Sequence, residues 1–147
     1  MEDRTFASQA ATLHTTYHLV QILIYRPFIH IPRGRMPHSP FPMPHSPMSQ
    51  KAMAICLNSA RATAHILDVQ THRGMLNITN VVHCSFVSAG VLLVHFWDLV
   101  RQYATQPSSE ARAFISQEIS STMDEIGDVM ARLEEVSAKW ELAKEML

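Results

Sequence analysis

The sequence has little glycine, little cysteine and almost no net charge. Of its 147 residues four are glycines and two are cysteines, and 12 basic residues balance 13 acidic ones to a net charge of −1. So few glycines, with only scattered β-branched runs, argue against a turn-rich all-β fold. Two cysteines cannot form a disulfide framework, nor a structural zinc site without several histidines. The charge balance gives no basic footprint of a stand-alone nucleic-acid binder.

The sequence has no clear secretory signal and only one segment that could be considered as a membrane-spanning helix. The N-terminus has no basic stretch followed by an apolar one, so we expect no secretory signal. The run 81–97 lacks Lys, Arg, Asp and Glu. A spanning helix needs about 20 mostly apolar residues, and this run contains histidines and serines. We therefore favour burial in a helical core over a membrane span, and we interpret Cys56 and Cys84 as small buried hydrophobes.

Helical periodicity is the main positive signal. In the first segment the apolar residues Leu13, Tyr17, Val20 and Ile24 recur at spacings of four, three and four. This spacing predicts a helix over about 7–26. Further apolar residues widen its stripe, so we expect it to be deeply packed. Pro27 should end this helix, because proline lacks the amide that a helix needs.

A proline-rich segment follows. Seven of the eight prolines lie between residues 27 and 47, and the unit Met-Pro-His-Ser-Pro occurs at 36–40 and again at 43–47. We predict an extended low-complexity loop over 27–48. Ser39 and Ser46 each precede a proline and could accept a phosphate. A spacer loop without regulation is the preferred interpretation.

Three more helices are expected after the loop. The second should run over about 49–70 with Ser49 as its N-cap and Gly74 just beyond its end. The third, over about 79–103, is apolar nearly all round, which is typical of a central helix. The last should cover about 109–146, where apolar residues recur every seven positions. They are Ile119, Ile126, Leu133, Trp140 and Leu147.

That seven-residue period allows two interpretations. It can indicate a coiled coil, in which the seam 119–147 would form a dimer. Over so few turns it is more often a bundle helix that lays one seam on a core, and we prefer that interpretation. Together the segments predict an all-α bundle of four to five helices with a Pro-rich insertion, forming part of a domain over 1–147.

No constellation indicates catalysis or a bound metal or cofactor. His14 and His18 lie four apart on one helix face, but no third ligand accompanies them. There is no glycine-rich phosphate loop and no Gly-x-Ser-x-Gly nucleophile motif. Asp98, at the end of the apolar third helix, is interpreted as the partner of Arg101 in a salt bridge. We therefore expect a protein that is not an enzyme and holds no metal or cofactor.

Placed on these helices, four stretches resemble a known family in the expected order. They are 13–18 running into 23–28, which ends in Arg26-Pro27-Phe28, then 56–62, 86–93, and 133–140 with Trp140 followed by Ala143. The sequence resembles the C-terminal part of the fungal-specific transcription factor domain, the middle homology region of fungal zinc-cluster regulators of the xylanolytic-activator type. In that resemblance the Arg-Pro-Phe corner is a structural joint, where Arg26 could bond the last carbonyls of the first helix.

The resemblance implies a nuclear, all-α regulatory domain that controls transcription through effector response or through packing on other parts of the regulator or on partner proteins. DNA contact and zinc would belong to an N-terminal six-cysteine cluster. This sequence has only two cysteines, so neither property transfers to any residue here, and we expect a fragment, a truncated gene product or a short paralogue. If half of a core is missing, the third helix should leave an exposed patch or self-associate. The alternative is a stand-alone helical adaptor that dimerises through the seam 119–147.

Overall fold

The computed structural model describes residues 2–29, 47–74 and 80–145, with side chains from residue 5 onward to residue 136 and at residue 138. Over these ranges the chain forms four helices and one 3-10 turn. They are α1 (Glu2–Tyr25), the turn Arg26–Phe28, α2 (Pro47–His72), α3 (Val81–Thr105) and α4 (Ser109–Glu145). None of these residues lies in a strand. The predicted all-α bundle is therefore confirmed.

The helix ends follow proline and glycine chemistry, with one correction. Helix α2 begins at Pro47, two residues before the predicted start, and Ser49 is a buried helical residue and not the N-cap. Proline suits the first turn because its missing amide would find no acceptor there. At the other end of α2, Gly74 has a φ of 68°, the left-handed conformation expected of it. Most of the predicted loop, residues 30–46 with Ser39 and Ser46, lies outside the described residues.

Consecutive helices run antiparallel. Gln21 of α1 accepts a hydrogen bond from Ser59 of α2, whereas Ala11 lies in one apolar cluster with Leu67 near the other end of α2. Helix α3 likewise runs antiparallel to α2, and α4 runs antiparallel to α3. Helices α2 and α3 form the centre, α1 packs on one side of them and α4 on the other, and α1 and α4 do not pack together within the described chain.

The interior is built mostly from small side chains. All four helices contribute small residues that are at most 6% exposed. They are Ala11, Thr15, Ala52, Cys56, Ser59, Ala60, Thr63, Cys84, Ser85, Ser88, Ala89 and Thr122. The larger buried side chains are fewer, with Ile22 and Leu92 at the centre of the main cluster. None of the aromatic side chains that the structure describes is buried. Small residues let helix backbones approach closely, and the described aromatic side chains remain at least partly exposed.

Helix α1 corrects the expectation of a deeply packed stripe. Its buried residues are Ala11, Thr15, Leu19 and Ile22. The stripe found by periodicity, Leu13, Tyr17, Val20 and Ile24, is between 46% and 70% exposed. With 3.6 residues per turn the two sets lie on opposite sides of the helix. The prediction of a helix was right, and the choice of the packed face was wrong.

Helix α4 lays a seven-residue seam on the bundle, as we preferred, but the most buried line is offset by three residues from the predicted one. The residues in the middle of the contact are Ile115, Thr122, Val129 and Val136, each at most 8% exposed. The predicted Ile119, Ile126 and Leu133 lie beside them and are half-buried.

The α3 helix passes the test of length and composition for a membrane span, with a mean hydropathy of 1.4, and 39% of that window is buried in the bundle. A core helix meets the same test.

Two adjacent leucines test this division between inside and outside. Leu92 is fully buried in the main cluster, while Leu93 is 51% exposed. We expect Leu92→Ala to lower the free energy of unfolding by about 2–5 kcal/mol, because it leaves a cavity. Leu93→Ala is the control and should change it by less than about 0.5 kcal/mol. Urea denaturation followed by circular dichroism measures both, and equal losses would contradict the placement of α3.

Candidate functional site

Ion pairs connect α2 to α4 at two places, and the basic residue belongs to a different helix at each place. Arg61 of α2 donates from Nε to Glu125 Oε2 at 2.9 Å and from Nη2 to Glu118 Oε1 at 3.1 Å. One heptad further along, Arg132 of α4 donates to Asp68 of α2. The basic partner therefore lies on α2 in the first pair and on α4 in the second.

This alternation fixes the register of the two helices, which run parallel. Sliding α4 by seven residues in one direction would place Arg132 beside Arg61. Sliding it in the other direction would place Glu125 beside Asp68. Like charges at such positions repel, so either slip is disfavoured. We call this arrangement of Arg61, Asp68, Glu125 and Arg132 the register device. The sequence analysis did not identify these four residues, although the two on α2 are seven residues apart and so are the two on α4.

The electrostatics of the first pair are dominated by the two carboxylates. Burial lowers the pKa of Arg61, but its hydrogen bonds to Glu125 and Glu118 outweigh that effect and raise its pKa above the usual value. His95 of α3 approaches the same cluster, with Nε2 3.7 Å from Glu118 Oε1. Glu118 therefore lies between side chains from α2 and α3.

A cleft of about 270 Å³ opens beside these pairs. Its apolar wall includes Leu67, Leu92 and Val129, and its polar lining includes Ser85 and His65 together with the paired residues. The volume lies just below the range of about 300–1,000 Å³ that is usual for small-molecule pockets. The two arginines that line the cleft are already engaged by carboxylates.

Two apolar faces point away from the bundle. The α1 outer face consists of Phe6, Leu13, Tyr17, Val20 and Ile24, and the α3 outer face consists of Val82, Phe86, Leu93, Trp97 and Val100. On the α3 outer face, Phe86 and Trp97 are 72% and 60% exposed. Contiguous apolar patches of this kind mark interaction surfaces on folded proteins. These faces are the candidate functional site, and noncovalent packing is the chemistry that they can perform.

The residues of the predicted Arg-Pro-Phe joint form the 3-10 turn directly after α1. This turn packs against α2, and Ile29 N donates to the carbonyl of Arg26 at 3.1 Å. Arg26, Pro27 and Phe28 are all exposed. The guanidinium of Arg26 makes no hydrogen bond with the described chain, so the predicted bonds to helix carbonyls are not formed there. Trp140 lies in α4, beyond the side chains that the structure describes.

The histidines that the structure describes do not form a group of metal ligands. His14 is exposed and His18 half-buried on α1. Burial lowers the pKa of His18, a contact with Gln21 opposes this, and the neighbouring His14 lowers it slightly further. Among the described side chains no three of His, Cys, Asp and Glu are grouped as metal ligands.

At the end of α3, Asp98 Oδ2 accepts a hydrogen bond from Gln102 Nε2 at 3.0 Å, so Gln102 takes the place predicted for Arg101.

The two cysteines are buried thiols, as their interpretation required. Cys56 Sγ is 3.8 Å from the carbonyl of Ile22, and Cys84 Sγ is 3.8 Å from that of Thr15. Both thiols therefore point at α1 from the two central helices. Burial raises the pKa of each, and the contact with Thr15 lowers that of Cys84 only in part.

Comparison with known proteins adds no relative: no protein-family model, curated protein or solved structure matches this chain.

The register device makes a measurable contribution to stability. We expect Arg61→Met to lower the free energy of unfolding by about 0.5–1 kcal/mol, because both carboxylate partners lose their cation at a partly exposed site. Lys51→Met, an exposed change on the same helix, is the control and should have almost no effect. The Arg61 effect should shrink when NaCl is raised from about 0.05 M to about 0.5 M. A loss that is equal in both variants, or insensitive to salt, would contradict this role.

The buried thiols should be nearly inert in the folded chain. Because burial disfavours the thiolate, which is the reacting species, we expect little reaction of Cys56 and Cys84 with Ellman's reagent at pH 8. Both should react quickly once guanidinium chloride unfolds the protein. Rapid labelling of either thiol under native conditions would show that the contact between α1 and the central helices is not as described.

Proposed function

We propose that this chain is a regulatory helical module of a transcription regulator of the fungal zinc-cluster type. It controls transcription without covalent chemistry, by packing against other parts of the parent regulator or against partner proteins, with or without a small effector. In this proposal the zinc cluster and the contact with DNA belong to a part of the regulator outside this sequence. The module acts in the nucleus and needs no metal or cofactor of its own.

The observation that carries the proposal is the α3 outer face. This helix buries Leu92 and Leu99 in the bundle, yet Phe86 and Trp97 remain largely exposed on another side. A large aromatic side chain at the surface costs free energy unless a partner covers it, and aromatic residues are the commonest anchors of protein interfaces. The family resemblance supplies the kind of regulator, and this face supplies the surface through which it would act.

The charged residues also favour a noncovalent role. Arg61 and Arg132, the cations of the cleft, are engaged by carboxylates of neighbouring helices. A catalytic site would keep such groups available for a substrate. Here they hold helices in register, which suits a module that acts by packing against other proteins.

The alternative of an adaptor that dimerises through the seam 119–147 is less favoured. In the described part of that seam, Ile119, Ile126 and Leu133 are half-buried, and Val129 and Val136 belong to the apolar clusters of the bundle. A dimer through this seam would have to detach α4 from α3. An adaptor would therefore need another surface.

A reporter assay tests the proposed function. The full chain is fused to an unrelated DNA-binding domain, and reporter transcription is compared with that of the DNA-binding domain alone at equal nuclear protein levels. We expect a several-fold change in either direction. The double variant Phe86→Ser/Leu93→Ser should lose this change, because the partner would lose its apolar contact.

Phe114→Ser is the matched control, since Phe114 is as exposed as Phe86 but lies on α4. It should retain the effect of the unmodified fusion. Circular dichroism of the purified variants shows whether helicity is kept. A fusion that leaves the reporter unchanged would contradict the proposal, and so would equal losses in Phe114→Ser and the double variant.

A further inference from the structure

The α1 outer face has the spacing of a coiled-coil seam. Its residues Phe6, Leu13, Tyr17, Val20 and Ile24 are between 46% and 74% exposed. Together with the half-buried Ala10 they recur at alternating intervals of four and three from residue 6 to residue 24. That is the a/d pattern of a coiled-coil seam, in which each side chain enters a hole between residues of a facing helix. The opposite side of α1 is already packed on the bundle through Ala11, Thr15 and Ile22.

We propose that a second copy of this chain covers the α1 outer face, and that the two α1 helices pair antiparallel around a two-fold axis. This inference goes beyond the proposed function, because it concerns another surface and holds whatever the α3 outer face contacts.

Self-complementarity is the first argument for a second copy. In an antiparallel pair centred near residue 15, Phe6 lies in one layer with Ile24 of the other copy, and Leu13 with Tyr17. The small Ala10 lies opposite Val20. Each layer thus combines an a with a d position, and each contact is repeated by the symmetry, as a two-fold interface requires. The seam needs no residue from a different protein to be complete.

Charge is the second argument. Residues 5–25 contain no Asp, Glu, Lys or Arg. The positions beside the seam are Ala7, Gln9, His14, Thr16, Gln21 and Leu23. Two identical helices can therefore meet without the like-charge repulsion that usually prevents self-pairing at these positions. Glu2, Asp3 and Arg4 stand in the first turn and Arg26 just after the last, so the net charge of −1 at the first turn lies near Arg26 of the other copy, although Arg4 itself falls opposite Arg26. The antiparallel arrangement also brings opposite helix dipoles together.

Area is the third argument. Large aromatic side chains carry roughly 150–250 Å² each, so this face offers on the order of 500 Å² per copy. A pair would bury about 1,000 Å², the lower limit for a specific interface. We therefore expect a reversible dimer with a micromolar dissociation constant. The α3 outer face suits self-pairing less well, because Gly90 leaves a position in its middle without a side chain.

Sedimentation equilibrium of the full chain between about 1 µM and about 200 µM, the range appropriate to a small interface, tests the proposal. We expect the mass to rise from one copy to two. Leu13→Glu should weaken this association at least tenfold, and Tyr17→Glu serves as a second variant with the same expectation. Phe86→Glu, which places the same charge on the α3 outer face, is the matched control and should leave the dimer intact.

Cysteine crosslinking tests the orientation, since both native thiols are buried. Ala10→Cys and Val20→Cys chains are prepared separately and oxidised alone and as a mixture. An antiparallel pair predicts a disulfide-linked dimer mainly in the mixture. Dimers formed by each variant alone would indicate a parallel pair and overturn the proposed geometry.

Three further results would overturn the proposal. One is a single-copy mass at every concentration, in which case another protein or a lipid surface covers this face. Another is a dimer that survives Leu13→Glu and Tyr17→Glu while both variants keep the helicity of the unmodified chain. The third is a dimer that Phe86→Glu abolishes. None of these outcomes decides the reporter assay of the proposed function, because that assay tests the α3 outer face.

Discussion

Close packing through small side chains is the constraint on which this bundle depends. Helix α2 contributes Ala52, Cys56 and Ala60 to its contacts, and all three are fully buried. The buried residues of α1 and α3 likewise include alanine, threonine, serine and cysteine. Such surfaces allow helix backbones to lie close together, where many weak dispersion contacts add up. None of the aromatic side chains that the structure describes is fully buried. The apolar character of α1 and α3 is therefore displayed on their outer sides.

Small buried residues provide little shape with which to specify a register, and the polar pairs supply it. Arg61 with Glu118 and Glu125, and Arg132 with Asp68, join α2 to α4 across the bundle. Partly exposed ion pairs add little stability, but their reversed charge orders at heptad spacing penalise a slip of seven residues in either direction. Apolar contacts thus hold the helices together, while charge selects which of several similar alignments is adopted.

The outward faces connect the fold to the proposals. A helix with one apolar side is satisfied by its own bundle, whereas α1 and α3 each have a second apolar side that the bundle leaves uncovered. On α3 that side displays Phe86 and Trp97, which suit an anchor in a partner's pocket. On α1 it forms a regular seam that suits another helix. A module with two such surfaces can connect a regulator to its own copy and to another component at the same time.

The sequence alone determined the helices, because periodicity, Pro27 and Gly74 are local signals that do not depend on the rest of the chain. It also indicated that α4 would lay a seven-residue seam on a core. Only the tertiary structure decided which side of α1 is buried, since that helix is apolar on two sides and periodicity cannot rank them. The same holds for α4, where Thr122 and Val129 occupy the middle of the contact and Ile119 its edge. The reason is physical: the buried side is the one whose small residues fit the neighbouring helix, and that fit exists only between helices.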